Sequence, residues 1–265
     1  MHARLALFFV LSTALVAGCG NLTREEAATA LEEASLSSSA GALTGSSIEI
    51  STNFTIGGAV EAAAQEIQTF VQTQLPCADV QLAGATLTIH YGARPGNCTY
   101  RGQTYAGTHV ISVMSNQMGS VVVMHTWTDF HNDTMSVTGS AMVTWNATDV
   151  TRHVSSSLTW TRLSDHRMGT GTGDRTQMPL QAGLLAGFEE SGEHTWTGQS
   201  GRWDLTIQQV QMRWVDPCPQ SGRYSLVTPY GPTLTLTFTR TNATTIHVAL
   251  TSGRNDFDFD VVTLP

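Results

Sequence analysis

His125, Asp129, His131 and Asp133 are the densest set of metal-capable side chains in the sequence. On an uninterrupted strand they would share one face, and imidazole beside carboxylate suits zinc or a general acid/base pair, as a metal-assisted hydrolase needs. Asn132-Asp133 is a turn signal that splays the group, so the expected reading is two exposed histidines beside a hairpin, with no metal held. Asp256, Asp258 and Asp260 alternate with Phe257, Phe259 and Val261 and should line one face of a strand. A straight strand spreads carboxylates too far apart for calcium, so these acids are read as a solvated face that discourages aggregation. Gly169-Thr170-Gly171-Thr172-Gly173-Asp174 is similar to a phosphate cradle only on the surface, because no helix follows it. It is expected to be a flexible connection or a loose edge. Gly-x-Ser-x-Gly, His-Glu-x-x-His and Cys-x-x-Cys are all missing from the sequence, and no catalytic residue or cofactor is assigned.

Composition narrows the partners. All thirteen basic residues are Arg, against twenty-one acids and a net charge of −8, a balance that repels phosphate and excludes nucleic acid as an expected partner. With 41% hydrophobic residues the chain can bury a sizeable core.

The start of the chain reads as an export signal. Arg4 precedes an apolar run from Leu5 to Val16, too short to span a bilayer, and Leu15-Val16-Ala17-Gly18-Cys19 resembles the bacterial lipobox. The resemblance implies cleavage after residue 18, lipidation of Cys19 and attachment to a membrane. Of the remaining cysteines, Cys77 and Cys98 bracket the alternating run Thr86 to Tyr91 and are paired here, a loop whose closure contributes roughly 3 kcal/mol. Cys218, in Asp216-Pro217-Cys218-Pro219, is then a free thiol in a turn with no base signal beside it.

The positioning elements follow from periodicity. Thr23-Arg24-Glu25-Glu26 reads as a capping box opening a short helix to about Leu36, and Ser37-Ser38-Ser39-Ala40-Gly41 as a flexible spacer. Residues 19–47 are thus expected to form a stalk. Ile48, Ile50, Phe54 and Ile56 read as a first strand, while Val60, Ala64, Ile67, Val71 and Leu75 give a helix between Gly57 and Leu75 that Pro76 ends. After Cys77 the chain alternates with period two, as in Leu87, Ile89 and Tyr91 or Leu234, Leu236 and Phe238, apart from a phase slip at Gln208-Gln209 that predicts a bulge. The opposite positions carry Thr, Ser, Gln and Arg, which argues against a lipid-facing barrel. Asn-x-Thr triplets at Asn53, Asn97, Asn132, Asn146 and Asn242 are read as Thr-rich strand chemistry. The expected fold is mainly β: one domain from Ile48 to Pro265, a large curved antiparallel sheet, flattened barrel or sandwich, with the 57–75 helix on its apolar face.

The lipobox together with Phe54-Thr55-Ile56-Gly57-Gly58-Ala59-Val60, Pro76-Cys77, Leu87-Thr88-Ile89-His90-Tyr91-Gly92 and Cys98-Thr99-Tyr100-Arg101-Gly102 resembles the predicted, functionally uncharacterised lipoproteins of myxobacteria and related Gram-negative bacteria. Val137-Thr138-Gly139, Val143-Thr144-Trp145 and Arg213-Trp214-Val215-Asp216-Pro217 extend the likeness over nearly the whole mature chain. The resemblance implies location and fold, no activity. By analogy with the enteric sorting rule, Gly20 after Cys19 favours the bacterial outer membrane. The expectation is a non-catalytic envelope lipoprotein with a structural or interaction role, its partners the membrane and an envelope protein. A periplasmic carrier of lipid or another apolar ligand is the second expectation, and the hydrolase using His125, Asp129 and His131 the third. Since neither the His125 group nor the Asp256 group has the ligand geometry of zinc or calcium, adding either ion, or a chelator, should leave the melting temperature unchanged. A rise of several degrees at modest zinc or calcium concentration would establish a native-state site.

Overall fold

The computed structural model describes residues 22–100, 102–181, 183–213, 216, 218–253 and 255–263. The expected leader at 1–18 and the acceptor Cys19 lie outside the described residues. Two helices precede the strands: α1 (Arg24–Ile50) and α2 (Val60–Gln74). The capping box opens α1 as its residues require, with the Thr23 amide donating to Glu26 Oε2 at 2.7 Å and the Glu26 amide to Thr23 Oγ1 at 3.2 Å.

From there the chain departs from the expected stalk. α1 runs for 27 residues, through the Ser37–Gly41 segment read as a spacer and through Ile48 and Ile50 read as the start of a strand. The physical reason is a stripe at helical spacing, Leu36, Ala40, Leu43, Ser47 and Ile50, all buried. The hydroxyls that would favour a loop are turned back onto the helix, with Ser39 Oγ donating to Ser35 O at 2.8 Å and Thr44 Oγ1 to Ala40 O at 3.0 Å.

α2 lies within the expected Gly57–Leu75 range. Its Ala63, Ala64, Ile67 and Val71 are buried, and the Leu75 amide closes the last turn on Val71 O at 2.8 Å before Pro76.

The strands are β1 (Asp79–Ala83), β2 (Thr86–Tyr91), β3 (Thr99–Tyr100), β4 (Gln103–Thr104), β5 (Ala106–Gln117), β6 (Ser120–His131), β7 (Met135–Asn146) and β8 (Thr151–Arg162). They continue as β9 (Met168–Leu180), β10 (Gly183–Gly198), β11 (Gly201–Arg213), β12 (Ser221–Val227), β13 (Thr233–Asn242), β14 (Thr245–Ser252) and β15 (Asn255–Val262). Thirteen form one antiparallel sheet in the order β1-β2-β5-β6-β7-β8-β9-β10-β11-β12-β13-β14-β15, and β3-β4 is a separate hairpin. The order is linear with β1 and β15 at its ends, so the sheet is open and not a barrel. Nearly every strand pairs with its sequence neighbours.

Two compact units divide the chain where one domain from Ile48 was expected: residues 34–174 with 196–199, and residues 175–195 and 200–265 with the start of α1. In the first, α2 packs on β1, β2 and β5, and Leu87, Ile89, Ile111, Val123, Trp127, Phe130 and Val143 are buried on the inward face. In the second, Cys218, Phe238, Ile246 and Val248 form a core cluster with Tyr224, Leu236, Phe259 and Val261 against it. The phase slip falls where expected: the β11–β12 register shifts between Gln208 and Gln211, and Gln209 has φ +48°.

Hairpin turns correct two further readings. Four of the five Asn-x-Thr triplets close turns, because Asn97, Asn132, Asn146 and Asn242 each accept, at 2.9 or 3.0 Å, the amide two residues on through Oδ1. The Gly169–Asp174 segment is no loose connection but part of β9, between β8 and β10 in the order. A Cβ at Gly169 would stand 2.6 Å from the Trp160 indole, so glycine is what lets that ring lie on the strand. Cys77 and Cys98 form a disulfide, Cα to Cα 5.4 Å, as their bracketing of β2 predicts.

Because Ile67 is fully buried on the inner side of α2, Ile67→Ala should lose about 2 to 5 kcal/mol to the new cavity, read by chemical denaturation. A loss well under 1 kcal/mol would mean that α2 covers space rather than packed side chains.

Candidate functional site

His125 is not the exposed histidine that the sequence reading expects. His125 points inward from β6 and is fully buried, whereas Asp129 and Asp133 are exposed. The turn at Asn132 is only half of the cause. A bulge between Trp127 and Phe130, with Asp129 at φ +47°, breaks the alternation before the turn is reached. Gly107 on β5 (φ +90°) makes room for it, since a Cβ there would meet the Asp129 carbonyl oxygen at 2.0 Å. His131 is left with its Nδ1 on the Asp129 carbonyl at 2.7 Å. Among the described residues, no three His, Cys, Asp or Glu side chains gather as metal ligands would.

The structure instead places His125 in a buried polar chain that sequence reasoning missed. His109 on β5 sits opposite Trp127, and His125 opposite Ile111, so the two imidazoles are diagonal neighbours on the inward face. His109 Nε2 and His125 Nδ1 are 3.0 Å apart, Tyr91 Oη is 3.4 Å from His109 Nδ1, and His125 Nε2 is 3.3 Å from Ser51 Oγ. Ser51 Oγ lies 2.7 Å from the Ile48 carbonyl.

That last contact fixes every proton. A carbonyl only accepts, so Ser51 donates its single hydroxyl hydrogen to Ile48 and must accept from His125 Nε2–H. His125 Nδ1 is then the acceptor for His109 Nε2–H, which leaves His109 Nδ1 to accept from the Tyr91 hydroxyl. Four side chains are satisfied with no charge. Burial holds both imidazoles neutral: desolvation pushes His125 down to about 3, with the nearby Arg152 cation adding to it, and His109 well below the ordinary value, with His125 adding. The Tyr91 phenol is pushed upward, again chiefly by burial.

Two further serines at the end of α1 repeat the device. Trp127 Nε1 donates to Ser47 Oγ at 2.9 Å while Ser47 donates to Thr44 O at 2.7 Å. Tyr105 Oη donates to Ser46 Oγ at 3.0 Å while Ser46 donates to Leu43 O at 2.9 Å. Each serine thus couples a carbonyl of the last helical turns to a side-chain donor outside the helix. Arg152 on β8 pairs with Glu49 of the same helix turn. The rings pack face to face around this network, His109 to Trp127 at 5.3 Å and 22°, His125 to Trp127 at 5.7 Å and 13°.

The other candidates lie apart. Cys218 is the buried free thiol of the second unit, pushed up to about 11 by burial and then by the Asp216 carboxylate, which itself pairs with Arg240. A thiol so raised is a poor nucleophile. Asp256, Asp258 and Asp260 alternate along the outer face of β15, where His247 Nδ1 meets Asp260 at 2.9 Å. Set against family models, curated proteins and solved structures, the chain matches none of them.

The neutral pair makes stability depend on pH. Unfolded, each histidine takes up a proton below about pH 6.5; folded, both stay neutral to much lower pH. The unfolded chain therefore binds more protons in that window, so the contribution is complete above about 6.5 and is lost as pH falls, by up to about 1.4 kcal/mol per pH unit for each histidine. Denaturation midpoints should fall between pH 6.5 and 5 in the wild type and fall less steeply in the His109→Gln/His125→Gln chain, where His194, held down to about 4 by burial, keeps a share of the dependence. Ser51→Ala, which strands the His125 Nε2–H, should cost about 1 to 3 kcal/mol at pH 7.

Proposed function

We propose that this chain is a non-catalytic lipoprotein of the bacterial cell envelope, tethered through Cys19 to the outer membrane and serving a structural or interaction role. One observation carries the non-catalytic part: the buried polar chain of Tyr91, His109, His125 and Ser51 is sealed and ends on its own backbone. Catalysis by a Ser–His pair needs the serine proton delivered to the imidazole, but Ser51 gives its proton to Ile48 and receives one from His125. Both histidines and Ser51 are fully buried, so substrate and water have no access to them.

The same packing favours a structural protein over a carrier of apolar ligands. The inward face of the first unit is occupied by Trp127, Phe130, Tyr105 and the end of α1, all buried, where a lipid would need an open cavity. The tether rests on the lipobox-like run ending at Cys19.

Cys19→Ala should abolish labelling by a metabolic fatty-acid probe and release the protein from the membrane fraction. The wild-type domain should show no saturable binding of a fluorescent fatty acid. Labelling of the alanine variant would overturn the tether, and saturable probe uptake the non-carrier reading.

A further inference from the structure

The outward face of the first unit is rich in hydroxyls. Thr126, Thr128, Ser136, Thr138, Ser140, Ser157 and Thr159 line β6, β7 and β8, yet Met124 and Met142 stand among them, 38% and 46% exposed. Methionine has no strand propensity to recommend it there and no core to fill. Register makes the pair significant: Met124 is directly opposite Met142, in a row that reads Thr86, Ser112, Met124, Met142, Ser155 across β2, β5, β6, β7 and β8. Directly opposed residues carry Cβ atoms about 4.5 to 5.5 Å apart, so two flexible thioethers can converge on one atom between them.

The adjoining row supplies a nitrogen. It pairs Val122 with Thr144 and Thr144 with His153, which sets His153 diagonally beside Met142 on the same outward face. His153 is anchored, its Nε2 2.7 Å from Asp174 Oδ1, and that contact leaves Nδ1 as the nitrogen for a ligand. A carboxylate on the far nitrogen is the arrangement that orients metal-binding imidazoles. On the other flank Met114, 67% exposed, stands at the bulge between Val113 and Ser115.

We propose that Met124, Met142 and His153 form a surface site for a soft monovalent cation, Cu(I) or Ag(I). Thioether sulfur selects such ions over zinc, calcium or magnesium, which prefer thiolate, imidazole or oxygen. The ligands are neutral, which suits a monovalent cation, and the Asp174 carboxylate behind His153 offsets its charge. Sequence inspection for His, Cys, Asp and Glu spacing passes over this arrangement, because Met124 and Met142 are brought together only by the β6–β7 register.

The test uses Ag(I), which involves no redox step, on the delipidated chain carrying Cys19→Ser and Cys218→Ala so that no free thiol competes. Calorimetric titration should give one saturable site, with the methyl resonances of Met124 and Met142 shifting and those of Met168 and Met178 still. Met124→Thr/Met142→Thr, which restores the hydroxyls usual on this face and should leave the fold intact by circular dichroism, should abolish the site. His153→Ala should weaken it by at least about 10-fold, the loss that even an outer-sphere partner causes. Cu(I) supplied in a competing chelator should displace Ag(I) from the same site. No saturable binding, binding unchanged in the double threonine variant, or shifts confined to other methionines would each overturn the proposal.

Discussion

The hydrogen bond from Ser51 to the Ile48 carbonyl is the constraint on which the first unit depends. It fixes the direction of the Ser51 hydroxyl, and with it the tautomers of the two neutral imidazoles, His125 and His109. Two imidazoles could not otherwise be buried side by side, because an unpaired polar group in such a place costs about 1 to 3 kcal/mol, more than a made bond returns. The end of α1 cannot rotate or slide without stranding Ser51, Ser47 and Ser46 together, along with the His125, Trp127 and Tyr105 donors they receive.

That coupling fixes the register in which a segment rich in Ser, Thr and Gly docks as a helix. Its apolar stripe is narrow, and Leu36, Ala40, Leu43 and Ile50 alone would tolerate a shift along a sheet face of similar residues. Polar pairs add little net energy but penalise every wrong register, the role best attested for buried polar groups in helical packing. The serines do this with neutral atoms, avoiding the several kcal/mol that each buried ion would cost. Arg152 and Glu49, a half-buried pair on the same helix turn, add a charge at the edge of the network, where its desolvation is smaller.

Much of this chain was legible from its residues, and the failures share a cause. Period two located strands such as β2, β13 and β15, the slip at Gln208-Gln209 located a bulge, and Cys77 with Cys98 located the disulfide, because each depends on near neighbours. The helical reach of α1 was misread because Ile48, Ile50, Phe54 and Ile56 alternate, while the competing stripe through Leu36, Ala40, Leu43, Ser47 and Ile50 includes a serine that a hydropathy reading discards. His125 was recognised as chemically capable but given the wrong companions. Its partners, His109 and Ser51, are 16 and 74 residues away and meet it only through sheet register and helix docking. The Asn-x-Thr triplets were visible, yet their meaning lay in the asparagine as a turn acceptor and not in the threonine.

An open sheet must also protect its two outermost strands from pairing with other chains. At β1 the solution is a covered approach: the disulfide draws the segment after β2 back over the start of the strand, where the Arg94 amide donates to the Cys77 carbonyl at 2.9 Å and the Arg94 side chain pairs with Asp79. At β15 the solution is charge, with Asp256, Asp258 and Asp260 on one face so that a second copy would set like charges directly opposite. Each device fits its sequence setting. β1 follows a helix and a cysteine that can anchor a loop, whereas β15 closes the strand order and has only its own side chains to work with. The acids of β15 are therefore accounted for without a ligand, which sharpens the contrast with Met124 and Met142. Those lie opposite one another on interior strands that need no such protection.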